Sequence, residues 1–275
     1  MAHVLILGAT SDMARAVARE YARKGYDLYL AAREPDRVGE LATELAAQHG
    51  VEARTLPFDA RSVAGHEAFF AALDPVPAGV VCLVGTMGRG PAPPEDMEDL
   101  REVVETNFLG PAGILEVAAQ AWLGQRGDAG GARETSDKAG SRGTSDTRAA
   151  GSVSAETSRP FIVGVSSVAG DRGRQSNYPY GSAKAGFTAY LSGLRQRLHA
   201  QGIGVLTVKP GFVRTRMTAH LDLPPLVTGE PEEVARALVR AQEKGRNVIY
   251  VRGIWRPIMA LIRLIPEVVF KRLGL

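Results

Sequence analysis

Seven short apolar runs, at residues 4–7, 27–31, 52–56, 79–84, 161–165, 204–208 and 247–251, alternate with longer amphipathic stretches near 12–24, 36–49, 62–72, 96–123, 178–201 and 231–244. That alternation is the sequence form of βαβ units wound around a parallel sheet. Most of the runs are rich in Val, Ile or Leu throughout, as strands covered on both faces require. Gly25, Gly50 and Gly202 fall where three of the helices should stop, at the left-handed position that glycine adopts without strain. The expected fold is an α/β, doubly wound, parallel seven-stranded sheet flanked by helices, in a single domain spanning residues 1–275.

Two segments stand outside the alternation. Residues 124–159 are dominated by Gly, Ser, Thr, Ala and balanced charges, with Val153 as the only large aliphatic residue. Such a stretch cannot bury enough apolar surface to offset its ordering entropy, so a disordered low-complexity insertion between helix and strand is expected there. The last residues, 254–275, interleave Trp255, Ile258, Leu261, Ile262, Leu264, Val268 and Phe270 with Arg256, Arg263, Lys271 and Arg272. This amphipathic tail suits either a cover over the protein's own core or a dimer partner, or an interfacial segment with basic anchors. Pro257 and Pro266 limit it to short helices.

Charge and cysteine content exclude several partners and compartments. The 33 basic and 30 acidic residues are interspersed, leaving a net charge of +3 without basic blocks, so nucleic acid is not an expected partner. Cys82 is the single cysteine and sits in an apolar run, where it reads as a small buried hydrophobe. No apolar run approaches the roughly 18–20 residues that span a bilayer, and the N-terminus moves directly into strand-like residues without a leader pattern. The expected setting is cytoplasmic, with peripheral contact at the inner membrane face through the tail. No metal site is expected, and a homo-oligomer is.

The first strand runs straight into Gly8-Ala9-Thr10-Ser11-Asp12-Met13-Ala14, the place where a dinucleotide fold turns tightly into a helix whose N-terminal amides face a pyrophosphate. Gly8 allows the turn, Thr10 and Ser11 offer hydroxyl donors, and Ala14 is small enough for close helix–strand packing. Read alone, the loop is equally an ordinary strand–helix turn. Asp12 is unexpected, because a carboxylate near a pyrophosphate is repulsive unless it turns away to cap the helix. Arg33 follows the second strand where no acidic residue waits for a ribose 2′-hydroxyl. It therefore suits the 2′-phosphate of NADP, with NAD as the alternative cofactor, unless it is a solvated charge. Asp59, after the third strand, is placed to bind an adenine edge, to cap the next helix, or both.

Downstream, Ser166-Ser167 close a strand run, and Tyr180-Gly181-Ser182-Ala183-Lys184 lies in a helical stretch. Tyr180 and Lys184, four residues apart, share one helix face, where the ammonium should favour the ionised phenol. An unperturbed tyrosine with a pKa of about 10 is a poor proton carrier at neutral pH until something tunes it. Ser167, thirteen residues before Tyr180, is placed to hydrogen-bond a substrate oxygen. A Tyr-x-x-x-Lys pair by itself is an ordinary surface pair; the strand-end serine and the nucleotide turn give it meaning.

With these motifs together, the chain resembles the short-chain dehydrogenase/reductase family over its whole length apart from 124–159. The resemblance implies a Rossmann-type fold and NAD(P)-dependent interconversion of a carbonyl and an alcohol. It matches Ser167, Tyr180 and Lys184 to the family's catalytic serine, tyrosine and lysine, and Asn107 to its asparagine. In that family the tyrosine exchanges a proton with the substrate oxygen, the lysine also holds the nicotinamide ribose, and the asparagine supports a relay water. The run Lys209-Pro210-Gly211-Phe212-Val213-Arg214-Thr215 resembles the family's Pro-Gly loop, in which Pro210, Gly211, Val213 and Thr215 would meet the cofactor. Two departures stand out: Asp12 replaces a loop glycine, and Cys82-Leu83-Val84-Gly85 replaces a polar Asn-Asn-Ala-Gly, so that Asn107 is expected to find other partners.

The tail, the 166–178 segment and Arg214-Thr215-Arg216-Met217 further resemble reductases of polyprenyl-phosphate-linked keto sugars within that family. This implies a lipid-linked substrate, with Arg172, Arg214 and Arg216 as candidates for its phosphate or as solvated charges. A small-molecule carbonyl substrate (steroid, acyl or ketone) is the alternative, and a protein that binds NAD(P) without turnover is the reading from another class.

Overall fold

A computed structural model describes residues 1–89, 94, 96–134, 159–219 and 221–274. Its main elements, in chain order, are β1 (His3–Leu7), α1 (Asp12–Arg23), β2 (Asp27–Ala32), α2 (Gly39–His49), β3 (Ala53–Pro57), α3 (His66–Ala71), β4 (Gly79–Cys82), α4 (Met97–Val104), α5 (Gly110–Glu134), β5 (Phe161–Val165), α6 (Tyr178–His199), β6 (Gly204–Lys209), β7 (Phe212–Val213), β8 (Thr228–Gly229), α7 (Pro231–Glu243), β9 (Val248–Tyr250), α8 (Trp255–Leu264) and α9 (Glu267–Phe270). Seven strands form one sheet in the order β3-β2-β1-β4-β5-β6-β9, with every pairing parallel. This is the doubly wound sheet that the apolar alternation predicts. β7 and β8 make a small separate pair.

The strand period of two divides the core. Val4, Ile6, Leu28, Leu30, Val81 and Val163 point to one face, where they meet Val17 and Tyr21 of α1, Leu41 and Leu45 of α2 and Val234 and Leu238 of α7. Leu5, Leu7, Tyr29, Val80, Cys82 and Ile162 point to the other, against Phe70 of α3, Ile114 and Leu115 of α5 and Phe187 and Leu191 of α6. Because both faces are covered, β1, β2, β4 and β5 are buried along their whole length. The chain winds outward from β1 through β2 to β3 and returns on the other side at β4. Between β1 and β4 the winding reverses, and such a switch point opens a crevice beyond the strands' carboxyl ends.

The stretch 96–123 is not the single expected helix. Between α4 and α5 the chain makes one wide turn, Glu105–Leu109, with π geometry. Pro111 has no N–H to give to residue 107, so a regular α-helix through this point would lose a hydrogen bond and crowd the ring. An inserted π turn accommodates the proline and re-aims Asn107. α5 then runs to Glu134, so 124–134 are helical and not part of the expected insertion, whose remaining residues 135–158 lie outside the described residues.

The tail folds back onto the body. Trp255 and Met259 of α8 are buried with Val168, Phe212, Val227 and Tyr250. Arg172 holds it there: its Nη1 donates to the carbonyls of Ile262 (2.8 Å) and Ile265 (2.6 Å), its Nη2 pairs with Glu267 (2.8 Å), and its guanidinium lies 3.8 Å from the centre of the Phe270 ring. No described helix is long and apolar enough to cross a membrane.

Candidate active site

At the switch point a cleft of about 180 Å³ opens between the β1–α1 loop and the segment after β4, lined by Gly8, Thr10, Ser11, Arg33, Asp59 and Leu83–Thr86 among others. Gly8 has φ +82°, and a Cβ there would lie 3.1 Å from the backbone of Leu83 and Val84, so only glycine both turns here and lets the two loops approach. Ser11 caps α1, its Oγ accepting from the Ala14 amide at 3.2 Å, which leaves its own hydroxyl hydrogen free. Met13 is partly buried against the core, and Ala14 is fully buried where helix meets strand.

Arg33 is exposed at the rim of the cleft and has no ion-pair partner among the described residues. Asp59 accepts from the Arg61 amide at 3.0 Å, so it caps the turn that follows while still lining the cleft. These residues suit a dinucleotide: a glycine turn at a helix N-terminus, free hydroxyls beside it, and an unpaired cation where a 2′-phosphate would come. Asp12 does not cap the helix. Its two oxygens accept from the backbone N and the Nε of Arg216, each at 2.8 Å.

Beyond the cleft the four proton-transfer candidates gather around the ends of β4 and β5. Asn107, on the π turn, is wholly buried and satisfied by backbone: Oδ1 accepts from the Thr86 amide at 3.2 Å, and Nδ2 donates to the carbonyls of Thr86 and Val103, each at 2.8 Å. Thr86 thus supplies the support that the missing asparagines after β4 do not. A Cβ on Gly85 would stand 2.9 Å from Asn107 Oδ1 and 3.4 Å from Lys184 Nζ, so the asparagine and the lysine meet across this glycine. Ser167 follows β5, and its hydroxyl bonds to the phenol of half-buried Tyr180. Neighbouring Ser166 has a structural task, bonding to the Lys184 carbonyl at 3.0 Å and to Thr188 at 2.7 Å.

The expected tuning of Tyr180 by Lys184 is not present. Burial raises the Tyr180 pKa above its ordinary value of 10, and the Ser167 hydroxyl offsets this only in part. Lys184 Nζ donates to the carbonyls of Val165 (3.1 Å) and Val84 (3.4 Å) and lies 5.8 Å from the centre of the Tyr180 ring. Burial pulls the lysine down to about 8, against a small opposite pull from Cys82, whose own thiol burial pushes up to about 11. The physical reason is that an ammonium taken out of water turns to the nearest carbonyl oxygens. Burial thus favours the protonated form of the phenol, which stands beside the Ser167 hydroxyl.

The Pro-Gly loop is built differently from the expectation. The Pro210 carbonyl accepts from the Val168 amide at 3.0 Å, joining this loop to the one after Ser167. Gly211 makes room for the tail: a Cβ would lie 1.9 Å from the Trp255 ring, whose Nε1 donates to the Val227 carbonyl at 3.0 Å. Val213 is buried and paired with β8, and its carbonyl accepts from Thr218 Oγ1 at 2.6 Å. Thr215 and Thr218 form a reciprocal cap on the short turn that carries Arg216. Each of the three arginines considered for a substrate phosphate already has a partner: Arg172 clamps the tail, Arg214 pairs with Glu230 at 3.0 Å, and Arg216 holds Asp12 through its Nε. Sequence spacing carried no signal for these pairings, nor for the buried Lys209–Asp171–Tyr250 cluster beneath the loop, since the partners lie far apart in the chain. Among the described residues no cluster of His, Cys, Asp and Glu could hold a metal.

Comparison with known proteins bears on the family and the fold. The profile of the short chain dehydrogenase family matches residues 2–142 and 147–224. The chain is 32% identical over 275 residues to an uncharacterised oxidoreductase of Mycobacterium tuberculosis, covering 99% of this chain and 97% of that one. Among solved structures it is similar to a 3-oxoacyl-[acyl-carrier protein] reductase of Brucella melitensis in complex with NAD, with a TM-score of 0.71, 25% identity and coverage of 92% and 96% of the two chains. It shares its fold with a short-chain dehydrogenase of Sphingobium yanoikuyae in complex with NADPH, at a TM-score of 0.73, 21% identity and 97% coverage of both chains.

Proposed function

The chain belongs to the short-chain dehydrogenase family, and from that premise we propose that it is an NADP-dependent reductase whose general acid is Tyr180 and whose substrate is a keto group on a polyprenyl-phosphate-linked sugar. The observation that carries the acid assignment is the Ser167–Tyr180 hydroxyl pair beside buried Lys184, at the carboxyl ends of the sheet next to the switch-point cleft. Arg33 favours NADP over NAD, because an unpaired guanidinium at the rim matches a 2′-phosphate in charge and geometry. The nucleotide-bound relatives, one with NADPH and one with NAD, support a dinucleotide in this cleft.

In the proposed reaction a reduced nicotinamide, when bound, supplies the hydride. Ser167 holds the substrate oxygen by a hydrogen bond, and Tyr180, kept protonated by burial, donates the proton that neutralises the developing alkoxide. Lys184, close to half-neutral near pH 8, is placed to replace the phenolic proton through a water. Asn107, fixed by the π turn, keeps the Thr86 backbone and the lysine in register.

The lipid-linked part of the reading rests on the tail. While one face of α8 and α9 is buried, the other exposes Leu261, Leu264, Val268 and Val269 at 50–79% of their surface, with Arg263, Lys271 and Arg272 interleaved. An apolar face with basic flanks suits peripheral contact with an anionic inner membrane surface, where such a substrate resides. The likeness to the reductase of the decaprenylphosphoryl-ribose epimerisation system supports a 2-keto pentose as the sugar. The test is NADPH oxidation with a polyprenyl-phosphoryl 2-keto pentose against a panel of soluble ketones. Preferential turnover of the lipid-linked sugar is expected; turnover confined to soluble ketones would return the substrate to the small carbonyl class.

A further inference from the structure

Asp12 stands in the nucleotide turn where the family resemblance calls for glycine, as the first residue of α1 and directly after Thr10 and Ser11, which line the cleft. An isolated carboxylate there would repel a diphosphate. It is not isolated. Arg216, 204 residues later, gives Asp12 two hydrogen bonds of 2.8 Å, one from its backbone N and one from Nε, and its Nη2 donates to the Thr10 carbonyl at 2.5 Å. The arginine thus grips both the side chain and the backbone of the turn that faces the nucleotide, while its Nη1 has no partner among the described residues.

The turn that carries Arg216 is itself held. Thr215 N donates to Thr218 Oγ1 at 3.1 Å, and Thr218 Oγ1 donates to the Val213 carbonyl at 2.6 Å, so Arg216 projects from a short, internally bonded turn. Arg216 remains 59% exposed, and an ion pair in that setting contributes little to folding. Its consequence lies in charge placement and in joining two loops.

We infer that Asp12 is a positioning residue that holds Arg216 across the diphosphate end of the cleft, making the 214–219 segment a strap over bound NADP. This rests on the NADP reading above. The carboxylate that a glycine fingerprint lacks has a partner whose charge cancels its own, and the unpartnered Nη1 is left to meet an anion. Restoring the glycine would therefore release the strap rather than relieve a repulsion.

The test is a double-mutant cycle on NADPH affinity, read by fluorescence titration of the full chain, with steady-state kinetics alongside. Arg216→Ala should raise Kd about tenfold, as loss of a charge-assisted contact does. Asp12→Gly should also raise it, by roughly half that factor on a logarithmic scale, and the double variant should bind no more weakly than Arg216→Ala alone. KM for NADPH should rise in both single variants with kcat at saturating cofactor unchanged, a split that general loosening of the fold would not give. Binding by Asp12→Gly as tight as wild type, or effects that add in the double variant, would overturn the strap. Failure of the wild-type chain to bind NADPH would instead overturn the functional reading, and this inference with it.

Discussion

Lys184 Nζ lies 5.8 Å from the centre of the Tyr180 ring and directs its hydrogen bonds to the carbonyls of Val165 and Val84. Sharing a helix face thus brings the two side chains together without making the ammonium a direct partner of the phenol. The lysine is paired with backbone, the tyrosine with Ser167. Each is desolvated, and burial drives the two pKa values apart, the lysine from 10.5 down to about 8 and the phenol up from 10 in the direction that keeps its proton.

Burial of Lys184 has a consequence for stability. Its folded pKa of about 8 lies below the ordinary 10.5, so between these values the unfolded chain binds more protons than the folded one, and stability rises with pH. The penalty is complete below pH 8 and gone above 10.5. Relative to Lys184→Met, the wild-type chain should gain about 2 kcal/mol between pH 7 and 9.5. Urea unfolding of both at the two pH values reads this difference. A constant difference would mean that the lysine is not desolvated in solution.

Arg33→Ala should weaken NADPH binding about tenfold or more and leave NADH nearly unchanged, because only the 2′-phosphate distinguishes the two ligands. The loss should shrink as salt is added, since Arg33 is exposed at the cleft rim. Titration of both nucleotides at two ionic strengths measures it. An equal loss for NADPH and NADH would remove the 2′-phosphate assignment.

Gly211 and Trp255 should be coupled. A methyl group at 211 would overlap the indole, so Gly211→Ala should cost about 1–3 kcal/mol in the wild-type background. With Trp255→Leu already present, the same substitution should cost much less, because the group it strikes is smaller. Denaturant midpoints of the four proteins measure the coupling. Additive losses would show that the tail does not rest on this loop in solution.

What was legible in the sequence was what is local or periodic. The buried strands announce themselves as apolar runs, and the Tyr180–Lys184 spacing fixes a shared helix face. Gly8 marks a turn whose left-handed φ the structure confirms. The π turn at Glu105–Leu109 was hidden, although Pro111 was its local signal. The pairings Asp12–Arg216, Gly211–Trp255 and Arg172 with the α8–α9 junction join residues 44 to 204 positions apart, and no periodicity links such pairs before the chain folds. Arg172 and Arg216 read equally well as phosphate ligands in the sequence because a free and a committed arginine carry the same charge.

The central claim, that Tyr180 gives the proton in an NADPH-dependent reduction, is tested most directly by comparing wild type with Tyr180→Phe, which lacks only the phenolic oxygen. NADPH affinity and consumption should be measured on both with the lipid-linked 2-keto pentose and with soluble ketones. The account predicts NADPH bound within about threefold of wild type and turnover reduced by roughly a factor of a thousand, as loss of a general acid implies. Undiminished turnover by Tyr180→Phe would contradict it.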